Sequence, residues 1–131
     1  MKKVTYIAVF EPAPAGGFGV YFPDLPGCTS MGDDFEEATR MAEEALGLHL
    51  WGMEKDNEEI FSPTQPPFEG VPPGAIIAAV TVFPDLVKNE MDNRAMKTNV
   101  TIPAWLKEMA EREKINFSQV LQTALKERLR V

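Results

Sequence analysis

The chain has 131 residues, 44% of them hydrophobic and 25% charged, with a formal net charge of −7. That length fits one compact domain, or a small domain with a shorter module, and no apolar run approaches the roughly 18 residues that a membrane span needs. One cysteine (Cys28) and one histidine (His49) exclude an internal disulfide and a typical structural zinc site, so no metal or other cofactor is expected and the plain compartment is the cytoplasm.

The charge is unevenly placed. Residues 1–53 carry −5, residues 54–75 carry −4, residues 76–93 carry −2, and residues 94–131 carry +4. An acidic body with a basic tail suits two partners of opposite sign.

Lys3–Phe10 alternates polar and apolar positions and reads as a strand. Lys2 and Lys3 followed by a short apolar run give a superficial likeness to a signal peptide, but the run is shorter than the roughly 7–15 residues of an h-region, and Glu11 and Pro12 end it with no small-residue cleavage site. Pro12–Gly17 is a turn, and Phe18–Phe22 a second strand completing a β-hairpin. Pro23 and Pro26 make residues 23–28 irregular. Asp33 or Asp34 can cap a helix whose apolar face is Phe35, Ala38, Met41, Ala42, Ala45, Leu46, His49, Leu50 and Met53. Residues 54–75, with five prolines and five acidic residues, form an extended loop. Ala75–Phe83 is a strand whose near-continuous apolar character suggests a buried central position. Residues 85–94 read as a polar linker.

In the tail, Thr98, Val100 and Ile102 fall on one face of a short strand, and Lys97, Asn99 and Thr101 on the other. Pro103 suits a helix start. Leu106, Met109 and Ala110 mark a first helix. Asn116 with Gln119 resembles a capping box opening a second helix, with a stripe of Val120, Leu121, Ala124, Leu125 and Leu129. A strand and two helices in so few residues cannot bury enough surface alone, and the strand lacks a pairing partner; a second copy solves both problems.

The tail, from Lys97-Thr98-Asn99-Val100-Thr101-Ile102-Pro103 to Asn116-Phe117-Ser118-Gln119, resembles the ribbon–helix–helix family of Arc/MetJ type. The resemblance implies that paired strands enter the DNA major groove, with Lys97, Asn99 and Thr101 toward base edges and Asn116, Phe117 and Ser118 at a helix N-terminus that grips phosphate. Earlier in the chain, Tyr21-Phe22-Pro23-Asp24-Leu25-Pro26-Gly27-Cys28, then Gly32-Asp33, then Glu36-Glu37-Ala38, is similar to the signature of HicB antitoxins. That resemblance implies a degenerate RNase H-like α+β domain. It also implies a HicA-like basic, mRNA-cleaving toxin as partner, and repression of the shared operon through the tail. The acidic proline-rich loop has no counterpart in the signature.

The expected organisation is therefore an α+β toxin-binding domain over residues 1–84, a linker over 85–94, and a ribbon–helix–helix module over 95–131 that forms a dimer or tetramer on operator DNA. No position is assigned to toxin contact. Two alternatives stand beside it: a stand-alone DNA-binding regulator without a toxin, and a metal-dependent RNase H-like nuclease. A nuclease needs converging carboxylates. The nearest, Asp24, Asp33 and Asp34, sit where a turn and a helix cap account for them, so no catalytic residue is expected. Cys28 reads as a small packed thiol, His49 as a core or interface residue, and Trp51 and Trp105 as packing residues.

Overall fold

A computed structural model describes residues 2–131. The elements in chain order are β1 (Val4–Pro12), β2 (Phe18–Tyr21), β3 (Thr29–Gly32), α1 (Phe35–Lys55), β4 (Ile76–Val82), α2 (Pro84–Asp92), α3 (Ala104–Arg112) and α4 (Phe117–Leu129). The chain divides into two compact units, residues 1–94 and 95–131.

The first unit is an antiparallel sheet in the order β3-β2-β1-β4, with α1 across one face. Register and alternation decide which side chains meet the helix. Tyr6 pairs with Val80, Ala8 with Ala78, and Phe10 with both Val20 and Ile76. Tyr6, Ala8, Phe10, Val20, Val80 and Val82 are buried there against Ala38, Ala42, Leu46 and Leu50 of α1. The small residues at 38 and 42 let the helix lie close to the sheet, and each large apolar side chain so buried contributes about 1.5–3 kcal/mol. Phe35 closes one end, its ring 5.0 Å from Phe10 and edge-on to Phe18 at 5.8 Å.

Asp34 is the residue that caps α1, its carboxylate accepting the Glu37 amide at 2.7 Å, while Glu37 accepts the Asp33 amide at 3.0 Å. The expected helix face is largely the buried one, but Met41 lies at its margin, 37% exposed. A Cβ on Gly32 would lie 2.6 Å from the Ala38 Cα and 2.8 Å from the Glu37 carbonyl carbon, so only glycine lets β3 run this close to α1.

Three elements of the first unit differ from the sequence reading, and in the second unit the strand read over residues 97–102 is no regular element of the single chain. Residues 29–32, read as part of no element, form β3. Residues 84–92 are a helix rather than part of a polar linker. Pro84 occupies its first turn, where the missing N–H costs nothing, Asp85 lies at its N-terminal end, and Val87 packs on Gly47 of α1. The strand over 76–82 exists, but it is an edge strand and not a central one. It pairs with β1 alone, and Ile76 and Ile77 are each 41% exposed.

The second unit holds α3, α4 and the segment leading into them, and residues 95–103 form no regular element in the single chain. Pro103 is the N-cap of α3, its carbonyl accepting the Leu106 and Lys107 amides. The helix ends in a Schellman turn: Lys114 takes a left-handed conformation (φ 54°), its amide donates to the Glu111 carbonyl, and the Ile115 amide donates to that of Ala110. Asn116 then caps α4, its side-chain oxygen accepting the Gln119 amide at 3.0 Å. No residue of this unit is buried; Ile102, Ala110 and Leu121 reach half-burial.

Candidate functional site

The absence of a core in the second unit defines its surface. Eleven large apolar side chains lie open, from Leu106 at 40% to Met96 at 86%, including Val100, Trp105, Met109, Phe117, Val120, Leu125 and Leu129. The stripe of α4 and the apolar side chains of α3 thus have no covering layer within their own unit. Trp105, read as a packing residue, is 62% exposed.

All six candidate DNA-contacting residues lie in this unit, and all are exposed. They fall into two groups. Lys97, Asn99 and Thr101 belong to the irregular segment before α3. Asn116, Phe117 and Ser118 form the N-terminus of α4, whose first turn contains no acidic residue. An uncompensated helix N-terminus presents free N–H groups and the positive end of the dipole, which together favour an anion. Thr101 and Phe117 line one shallow hollow with Val100, Ile102 and Lys107, so the two groups meet there; Lys97 and Asn99 lie outside it. The unit holds seven basic and four acidic residues, a net +3.

The first unit is opposite in character, with sixteen acidic and six basic residues, a net −10. Its signature turn is a folded loop. The Leu25 amide donates to the Phe22 carbonyl and the Cys28 amide to that of Leu25, each at 3.0 Å, with Gly27 in the left-handed region. Phe22, Leu25 and Cys28 are thereby turned inward and buried. Burial pushes the Cys28 thiol up to about 11, which keeps it protonated and unreactive at neutral pH.

Asp24 has a longer reach than its turn suggests. Its carboxylate accepts the amide of Thr64, forty positions on, at 2.8 Å. Beside it the buried Tyr6 hydroxyl donates to the Phe61 carbonyl at 2.5 Å; desolvation, and secondarily the Asp24 charge, holds that hydroxyl above the usual tyrosine range. These two bonds fasten the acidic proline-rich loop to the domain. Nothing local in the sequence marks Tyr6, Phe61 or Thr64 for this task, because the partners are brought together only by the fold.

Two of the three carboxylates weighed for metal chemistry make structural bonds, Asp24 to the loop and Asp34 to its helix, while Asp33 takes part through its backbone amide. Among the described residues no three histidine, cysteine or acidic side chains stand close enough to share an ion. His49 is half-buried on α1, and Trp51 lies half-buried beneath the Lys55 ammonium, 4.9 Å from the ring centre. No helix among the described residues is long and apolar enough to cross a membrane.

Comparison with known proteins spans both units. A family model described as the HicB-like antitoxin of bacterial toxin–antitoxin systems matches residues 6–124. An uncharacterised 14.9 kDa protein of Haemophilus phage HP1 is 39% identical over 92 residues, 69% of this chain and 67% of that protein. Antitoxin HicB 1 of Photorhabdus laumondii is 40% identical over 60 residues, 46% of this chain but only 39% of that protein. Among solved structures, a chain from a toxin–antitoxin complex of Streptococcus pneumoniae matches with a TM-score of 0.59 at 22% identity, over 97% of this chain and 99% of that one. The antitoxin HicB of Burkholderia pseudomallei matches with a TM-score of 0.54 at 22% identity, over 98% and 99%. At such identities the structural likeness is one of fold.

Proposed function

The chain belongs to the HicB-like antitoxin family of bacterial toxin–antitoxin systems, and from that membership we propose that it neutralises a basic, RNA-cleaving toxin and represses the operon that encodes both. The observation that carries this reading is the family match across both units together with their opposite charge. An RNA-cleaving enzyme presents a positive surface to phosphate, and a domain of net −10 can occupy it in place of RNA. On this reading residues 1–94 bind the toxin and do no chemistry, which fits the structural bonds made by Asp24 and Asp34. The degenerate RNase H-like assignment of this domain belongs to the same proposal, resting on the strand order and the helix between β3 and β4.

The tail carries the second activity. Two copies would pair their Lys97–Ile102 segments antiparallel and pack α3 and α4 of each against the other, which would cover much of the open apolar surface of those helices. The paired strands would then offer Lys97, Asn99 and Thr101 to base edges, and the N-termini of the two α4 helices, at Asn116, Phe117 and Ser118, to backbone phosphates. The assembly is thus a dimer or a multiple of one.

The test takes the full chain and the product of the neighbouring reading frame. Co-purification of the two, inhibition of RNA cleavage by the added chain, and binding to a DNA fragment from upstream of the operon are the expected results, with the DNA binding lost on truncation after residue 93. A chain that neither binds the neighbouring product nor blocks its cleavage of RNA overturns the antitoxin reading. Retention of oligomeric state and DNA affinity by the truncated chain overturns the role given to the tail.

A further inference from the structure

Strand β4 has the composition of a central strand and the place of an edge strand. Ile76-Ile77-Ala78-Ala79-Val80-Thr81-Val82 contains no charge, no proline and no glycine. Along one side it pairs with β1 in unbroken register from Val4↔Val82 to Phe10↔Ile76, so no bulge twists it away, and it ends the sheet order on the other side. An open row of backbone N–H and C=O groups invites another strand, and sheet edges are ordinarily blunted by charges, proline, bulges or brevity. The opposite edge obeys this: β3 is four residues long and ends at Gly32 beneath α1. The β4 edge has none of these protections. On the sheet face away from α1, Ile77 and Ala79 are exposed beside it.

We propose that the β4 edge is a docking site that takes a strand from a basic protein partner and extends the sheet to five strands. Main-chain hydrogen bonds would supply the affinity, and the open side chains of Ile77 and Ala79 the contact on that face. Charge selects the occupant. Pairing of two β4 edges would bring two domains of net −10 together, whereas a basic chain is drawn to the same surface. The strand itself carries no charge, so covering it desolvates no ion. This rests on the reading of the chain as the antitoxin of a basic toxin, and it names the surface that toxin would meet.

Amide hydrogen exchange of the full chain, alone and mixed with the purified basic product of the neighbouring gene, tests it. The complex is expected to slow exchange at least about tenfold for those amides of residues 76–82 that point away from β1. Ile77→Lys places a blocking charge at an exposed site, and is expected to weaken binding about tenfold or more while the amides of β1 and α1 stay protected; Ile77→Thr, still β-branched, stays within about threefold. A complex that forms with β4 exchange unchanged and with full affinity for the Ile77→Lys chain overturns the docking site and leaves the antitoxin reading intact. Protection of the same amides in the chain alone makes a second copy the occupant and overturns the choice made here. Failure of the wild-type chain to bind the basic product at all overturns the antitoxin reading, and the docking site with it.

Discussion

Asn116 offers a perturbation that separates the folding of the tail from the DNA contact proposed for it. Its side chain accepts the Gln119 amide at 3.0 Å, and replacing such a cap with alanine costs about 1 kcal/mol. Where the tail folds only as a dimer, both copies lose the bond. Asn116→Ala then costs about 2 kcal/mol per dimer and raises the dimer dissociation constant about thirtyfold. Asn116→Asp caps as well as asparagine does, so dimerisation is expected to match the wild type. It also sets a carboxylate at the N–H groups of Phe117 and Ser118, where a phosphate would sit, twice per dimer. At about 0.5–1 kcal/mol each, the loss is roughly tenfold in DNA affinity at low salt. Sedimentation equilibrium reads the first quantity and fluorescence anisotropy on a labelled operator fragment the second. Once concentrated enough to be dimeric, the Ala chain should bind DNA with wild-type affinity per dimer, whereas the Asp chain should stay about tenfold weaker per dimer at any concentration. Operator affinity of the Asp chain equal to wild type would refute phosphate binding at this helix end, and a wild-type tail folded as a monomer at nanomolar concentration would refute the dimer argument itself.

Other outcomes follow from the same contacts. Asn99→Ala is expected to cost about 1–3 kcal/mol on operator DNA and little on random DNA, and Lys97→Ala to flatten the salt dependence of binding, both read from titrations across a salt series. Gly32→Ala, whose new methyl meets helix backbone rather than a yielding side chain, should lower stability by about 2–3 kcal/mol in urea denaturation. Lys114→Gly removes a side chain from a left-handed position and should raise tail stability by about 0.5–1 kcal/mol in thermal melts. Cys28 should resist iodoacetamide at pH 8 until the chain is unfolded. Because its pKa is raised in the folded state to about 11 from 9.0, the stability linked to it is full below pH 9 and is lost as pH climbs through about 11, visible as a falling Tm.

Periodicity exposed the elements that obey it over a sufficient length. The alternation of β1 and the 3.6-residue spacing from Phe35 to Met53 are long enough to read, and Asn116 is a recognisable cap from residue type and position alone, whereas the choice between Asp33 and Asp34 needed the structure. Strand β3 has only four residues, starts after a Pro-Gly turn and ends on a glycine, so it leaves no pattern. Helix α2 is polar enough to read as a linker; its signals were Pro84 and Asp85 at the start and Val87 opposite Gly47, and the last is visible only after folding. The apolar run of β4 announced burial correctly at Val80 and Val82, but the inference from composition to a central place in the sheet failed, because composition cannot say which molecule supplies a strand's neighbour. The bonds of Asp24 to Thr64 and Tyr6 to Phe61 join residues 40 and 55 positions apart, and no local pattern encodes such a pairing.

The second unit's lack of any buried side chain has a consequence if the tail folds only as the proposed dimer. A module with an internal core folds to the same extent at every dilution. A tail whose apolar surface is covered by a second copy would instead have a folding equilibrium of second order, so each halving of chain concentration would lower its stability by about 0.4 kcal/mol, the value of RT ln 2. The folded fraction of such a tail would rise with supply, and the proportion of structured tail would then be a gauge of how much of the protein is present.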